Sequence, residues 1–168
     1  MENIFGSSII PENEEDRLEN LKKYKVLYKQ TEPIFNQLAA SAATILGVPV
    51  AMINFVDKDN VWTKAVKDSE ERNTDVERGS SLCALAILND RVTVIEDFHL
   101  APLLLSNPLI AGESGFRFYA AAPIKTSEGF NIGVVCILDK EARKFTAKDK
   151  YKLESIADTI RIEIEGRL

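Results

Sequence analysis

The chain has 168 residues, 45% of them hydrophobic, which fits one globular domain with a sizeable core. Its 21 basic and 26 acidic residues give a net charge of -5, which disfavours a nucleic-acid role, and no apolar run approaches the ~20 residues of a membrane span. Cys83 and Cys136 lie far apart in an otherwise aliphatic sequence, unlike a disulfide framework or a zinc site, and the opening MENIFGSSIIPENEED lacks the pattern of a signal peptide. The expectation is a single cytoplasmic domain over 1–168, away from membranes, with no cofactor or metal.

In chain order, 1–11 reads as a flexible lead-in and 12–28 as a helix. Pro11 suits its opening turn, Glu12, Glu14, Glu15 and Asp16 its positive end, and Lys22, Lys23 and Lys25 its negative end. Leu18, Leu21 and Val26 or Leu27 give it one thin apolar side, so it rests on the domain or on a second subunit. The core spans 31–165. A second helix is capped by Thr31, takes Pro33 in its first turn and stops at Gly47, with Ile34, Leu38, Ala42 and Ile45 as its stripe and Phe35, Ala39 and Leu46 widening it. VAMINFV (50–56) and VWTKAV (61–66) form a hairpin, in which Asn54 and Lys64 interrupt the apolar runs and suggest a polar recess on one face. Residues 67–78 read as a loop, Ser80 caps a short helix ending at Asn89, and 92–96 is a strand. Residues 97–115 are a long apolar connection, with a short helix around Leu103, that folds back as a cover.

FRFYAAAPI and FNIGVVCILD, separated by KTSEG, make a second hairpin. Their nearly continuous apolarity places Phe130–Leu138 in the middle of an antiparallel sheet, covered on both faces. Thr146 and Asp149 open a last helix, with Leu153, Ile156, Ala157, Ile160 and Ile164 along one side. The order implies α+β, with a sheet of five or six strands, terminal helices on one face, and a pocket under a short helix and long loop on the other.

Arg117 and Tyr119 share a strand face with small Ala121, and an arginine cannot sit unpaired among packed helices, so that face suits a ligand cavity. The guanidinium fork fits an anion or, alternatively, Asp97. Asn54, Trp62 and Lys64 come from neighbouring strands and are candidates for the same recess; Asp97 and Asn107 either contact a ligand or fix the loop. Cys83 lies in the first turn of its helix, where amide dipoles favour a thiolate, against the plainer reading of a small core residue. Cys136 reads as core, and His99 as an ordinary loop histidine.

SSLCALAI (80–87), NPLIAG (107–112), FRFYAAAPI (116–124) and IGVVCILD (132–139) resemble, in order and spacing, bacterial GAF domains found upstream of signalling enzymes such as diguanylate cyclases and histidine kinases. AMINFVDKDNVWTKA (51–65) and Arg78 before the short helix are similar too. The resemblance implies the sheet just described, with the first, second and last helices on one face and the pocket on the other. It also implies a homodimer through the first and last helices. It departs from the family pattern at Leu85, where a histidine is usual, at Ala101, Pro102, Leu103 and Leu104, and at Ala121, where a glycine is common. These changes make the pocket more apolar and smaller. The Asn-Lys-Phe-Asp-Glu signature of cyclic-nucleotide-binding relatives is absent as a run, so cyclic GMP is not supported. The function expected is therefore a small-molecule sensor, not an enzyme, acting through a separate signalling protein. One alternative is a free methionine-(R)-sulfoxide reductase, whose cysteine motifs the surroundings of Cys83 and Cys136 do not match. The other is a ligand-free dimerisation module, favoured by Leu103, Leu104 and Leu105.

Overall fold

The computed structural model describes residues 3–26, 32–67, 75–100 and 115–166. Six strands form one sheet: β1 (Val50–Val56), β2 (Asn60–Lys67), β3 (Asp75–Glu77), β4 (Thr93–Ile95), β5 (Phe118–Lys125) and β6 (Asn131–Asp139), in the order β3-β2-β1-β6-β5-β4. All neighbouring pairs are antiparallel. β6 is central between β1 and β5, as its apolar run predicts, and every one of its residues is buried. Its Gly133 faces Phe55, where an added Cβ would stand 2.3 Å from the Asn54 carbonyl oxygen, so only glycine lets β1 and β6 close up there.

Helices α1 (Glu14–Lys23), α2 (Pro33–Leu46) and α4 (Ala147–Glu165) contribute to one core on one face, with Leu21, Phe35, Ala39, Ile156 and Ile160 packed against Ile53, Phe55, Ala120 and Ile137. The short α3 (Leu82–Ala86) lies on the other face, over a second core. Strand alternation divides the two: Phe118, Ala120, Ala122 and Ile124 point to α2 and α4, Tyr119 and Ala121 to α3. Phe116 lies before β5, which begins at Phe118, and joins the α3 core.

Several local expectations change. The first helix ends at Lys23, and Lys25 turns the chain with φ 55. Glu32 holds the cap position of α2 and Thr31 lies outside the described residues; at the other end Gly47 caps in the left-handed region, φ 65, as expected. The buried side of α2 is Phe35, Ala39, Ala42, Ala43 and Leu46, while Ile34 and Leu38 are partly covered and Ile45 is 50% exposed, so the helix is rotated from the expected stripe. The loop 67–78 contains β3 and the start of a 3-10 turn at Arg78–Ser80. Ser81 caps α3 instead of Ser80. The capping box of Thr146 and Asp149 is present. Leu153, Ile156, Ala157, Ile160 and Ile164, the expected apolar side of the last helix, are all buried within the domain. The expected helix around Leu103 lies outside the described residues, as do Leu104 and Leu105.

At the entrance to α3 the chain buries two arginines. Arg17 Nε donates to Glu14 Oε1 at 2.7 Å and its Nη1 to the Val56 carbonyl at 2.7 Å. Arg78 reaches both oxygens of the same carboxylate and donates to the carbonyls of Asp57 and Lys58 at 3.3 and 3.1 Å. One carboxylate thus ties α1, the β1–β2 turn and the segment leading into α3 together.

Candidate functional site

The α3 face holds a small polar cluster inside an apolar wall. Ser81 Oγ accepts from the Cys83 amide at 3.2 Å, which fixes the first turn of α3 over β1, β5 and β6. Cys83 Sγ then lies 3.3 Å from Asn54 Nδ2 and 3.4 Å from Tyr119 Oη. The same amide nitrogen stands 3.7 Å from Cys136 Sγ. Asn54, Cys83, Tyr119 and Cys136 are all at most 5% exposed. Asn54 Oδ1 has no hydrogen-bond partner among the described residues. Leu82, Ile87, Phe98, Val134 and Leu138 belong to the apolar surround.

Burial alone raises a thiol pKa, yet the cluster splits its two cysteines. Hydrogen bonding from Cys136, against the desolvation of burial and with further help from Tyr119, Asn54 and Ser81, brings Cys83 down to about 6. The hydrogen bond to Cys83, then burial, holds the Cys136 thiol well above its ordinary value. Burial, followed by charge on the two sulfurs, pushes Tyr119 up, so its phenol stays a donor. Side-chain donors from the sheet and from Ser81 thus act on Cys83 at the first turn of α3.

Of the expected site residues, Asn54, Cys83, Tyr119 and Ala121 come together on this face. Lys64 does not. The β1–β2 register shifts between Ile53 and Asn54, so Asn54 pairs with Thr63, Ile53 pairs with Ala65, and Lys64 is the extra residue of a bulge. It turns to the α2 side, with Nζ 3.3 Å from Glu32 and 5.5 Å from the centre of the Phe35 ring. Trp62 stands opposite Phe55 and shares that helix-covered face. Asn107 lies outside the described residues.

Arg117 settles on the second of its two expected partners. It precedes β5 and binds Asp97 through Nε at 3.2 Å and Nη2 at 2.8 Å, holding that carboxyl below its ordinary pKa. The arginine side chain is 39% exposed, so this is a solvent-screened pair and its loss costs little stability. Asp97 also accepts from the His99 amide at 3.0 Å, so it organises the backbone after β4. Among the described residues no group of three His, Cys, Asp or Glu side chains is placed to hold a metal, and no helix is long and apolar enough to cross a membrane.

Sequence reasoning missed two features of the site. Cys136 was read as core alone, since nothing in the linear sequence places it against Cys83. Asn131 was passed over, although its Nδ2 donates to the carbonyls of Ile87 and Asn89 at 3.0 and 3.2 Å and pins the end of α3 to β6.

This geometry, a six-stranded antiparallel sheet with helices on one face and a capped short helix over polar groups on the other, is an α+β domain architecture. The GAF domain family profile matches residues 30–164, and the chain belongs to that family. It is 33% identical over 155 residues to a cyclic di-GMP phosphodiesterase of Pseudomonas aeruginosa, a match covering 92% of this chain and 26% of that protein. The chain therefore spans about a quarter of the length of that relative. Among solved structures, the GAF domain of an Acinetobacter phosphoenolpyruvate-protein phosphotransferase superposes with a TM-score of 0.67 at 13% identity, covering 94% of this chain and 95% of that one. The free methionine-R-sulfoxide reductase of Neisseria meningitidis superposes with a TM-score of 0.65 at 19% identity, covering 90% and 87%. At those identities the structural matches speak for the fold only.

Proposed function

We propose that this GAF domain is a sensory input module of signal transduction that binds a small molecule under α3 and passes its state to an output element outside these 168 residues. The observation that carries the reading is the buried Asn54 Oδ1, an acceptor without a partner among the described residues, on the side chain whose Nδ2 meets the polar cluster. A buried acceptor left unmatched costs about 1–3 kcal/mol, which a ligand donor repays. The relative with a phosphodiesterase activity supports a signalling context, and the Arg78–Glu14 link gives any movement at the foot of α3 a hydrogen-bonded route to α1. The test is mass analysis of small molecules released by denaturing freshly purified protein. Wild type is expected to release one that Asn54→Leu lacks; release of nothing from either removes the ligand from the proposal.

The reading is non-enzymatic. The surroundings of Cys83 and Cys136 do not match the cysteine motifs of the methionine-(R)-sulfoxide reductases, and Cys83 has an amide and a phenol beside it, not a general base. Pure protein given free methionine-(R)-sulfoxide and a thiol reductant is expected to show no turnover, and turnover that Cys83→Ser abolishes would overturn this.

We also propose a parallel two-fold homodimer through α1 and α4 in the cytoplasm. Its support on α4 is Tyr151 and Ile162, 73% and 61% exposed, which lie about three helical turns apart on one side. Light scattering at micromolar concentration is expected to report twice the chain mass; a monomer counts directly against it.

A further inference from the structure

Cys83 and Cys136 come from different elements, the first turn of α3 and the middle of β6, and fifty-two residues of chain separate them. The fold nevertheless brings both to one side chain, with the single Asn54 amide nitrogen 3.3 and 3.7 Å from the two sulfurs. Both are free thiols. We propose that this pair is a dithiol–disulfide couple, oxidised by a small hydroperoxide such as hydrogen peroxide and reset by a dithiol reductant, so that the domain carries a redox-modification site beneath α3.

Buried cysteines in apolar surroundings are inert, because the thiolate has no solvation. This site differs in its donors. Asn54 Nδ2 and Tyr119 Oη lie within hydrogen-bonding distance of Cys83 Sγ, and they replace the water that burial removes. Their effect is to make Cys83 the attacking sulfur and to keep Cys136 protonated as the resolving one. Hydrogen peroxide is hardly larger than the water molecules that visit protein interiors, which sets it apart from an amino-acid substrate.

The chemistry closes without another reagent. The Cys83 thiolate attacks one peroxide oxygen; the S–O bond forms, the O–O bond breaks, and the departing hydroxide takes up the proton that Cys83 released, leaving as water. Cys83 is then a sulfenic acid, oxidised by two electrons. Cys136 sulfur attacks Cys83 sulfur; the S–S bond forms, the S–O bond breaks, and the hydroxide leaves with the Cys136 proton as a second water. Two thiols and one peroxide become one disulfide and two waters. The bond draws the sulfurs together and takes Cys83 out of its contacts with Tyr119 and Asn54, so oxidation repositions the first turn of α3 on the sheet.

The proposal stands on contacts inside the chain and needs no bound ligand, so it survives or fails separately from the sensory reading. The experiment treats the whole chain, with no small molecule added, with hydrogen peroxide; it then quenches in acid, blocks free thiols with a maleimide under denaturing conditions, and measures intact and peptide masses. Wild type is expected to lose two hydrogens, take up no maleimide, yield a crosslinked Cys83–Cys136 peptide, and recover both thiols with dithiothreitol. Cys136→Ser is expected to accumulate a dimedone-reactive sulfenic acid on Cys83, and Cys83→Ser to leave Cys136 free. Two maleimides on wild type after a peroxide dose that oxidises a free-cysteine control would overturn the proposal. So would crosslinks found only between chains, or sulfinic acid at Cys83 beside an untouched Cys136. The wild-type masses decide the matter even if either serine variant fails to fold.

Discussion

Glu14→Ala is expected to lower the unfolding free energy by about 3–5 kcal/mol, the cost of stripping a buried ion pair of one partner. The arginines it serves, Arg17 and Arg78, have side chains 1% and 0% exposed, and Glu14 is itself 16% exposed. Without the carboxylate the two buried guanidinium groups keep the carbonyls of Val56, Asp57 and Lys58 and, for Arg17, the charge of Asp57. Burial pushes the Glu14 carboxyl up, but hydrogen bonds from Arg78 and Arg17 outweigh it and leave its pKa below the ordinary value. The sign follows from linkage. A depressed folded pKa means that the stabilisation is complete above the unfolded value and is lost as the pH falls through the folded one. Wild type should therefore lose stability on acidification below the usual glutamate range, and Glu14→Ala should lack that part of the acid dependence. Denaturant unfolding of both proteins at neutral and acid pH reads the effect. A neutral-pH loss under about 1 kcal/mol would show that the arginines have other partners.

Gly133→Ala is the second large effect, expected at about 3 kcal/mol or more, beyond the ordinary range for overpacking because a backbone atom stands in the way. The new Cβ would meet the Asn54 carbonyl oxygen at 2.3 Å, Phe55 Cδ1 at 2.8 Å and Phe55 Cα at 3.0 Å. A side chain could rotate aside, but the Asn54 carbonyl is fixed in β1, which pairs with β6 from Val50 to Phe55. Relief therefore requires β1 and β6 to separate locally, which also shifts the Asn54 amide relative to the sulfurs of Cys83 and Cys136. Chemical denaturation measures the loss. A variant as stable as wild type would mean that the two strands are not closed at this point.

The hairpins, the central place of β6 and the last helix were legible because local patterns determine them. Continuous apolarity marks a strand covered on both faces, and Thr146 with Asp149 marks a helix start. The side of each strand was less legible. Asn54 and Lys64 looked like two halves of one polar recess, but the hairpin register sets Asn54 opposite Thr63, so Lys64, the next residue and the site of the bulge, falls on the other face. The stripe of α2 was misplaced because alanines and large aliphatics mix around it, and packing against Phe55 and Ile53 then selects the Phe35 side. Contacts between distant residues were the least visible. Glu14 looked like one of several acids suited to a helix N-terminus, and only the fold shows it as the counter-charge of an arginine sixty-four positions later. Cys83 and Cys136 each looked like a small core residue for the same reason.

Among the described residues the sheet ends on both sides in strands of three residues, β3 and β4. A strand that short presents too few free amides and carbonyls to template the addition of another chain, and the residues of β3 include the charged Asp75 and Glu77. Contact with another protein by extending this sheet is therefore disfavoured at either margin. Recognition falls to side chains on the helices and loops, so a partner must match the shape and charge of those surfaces instead of simply docking a strand.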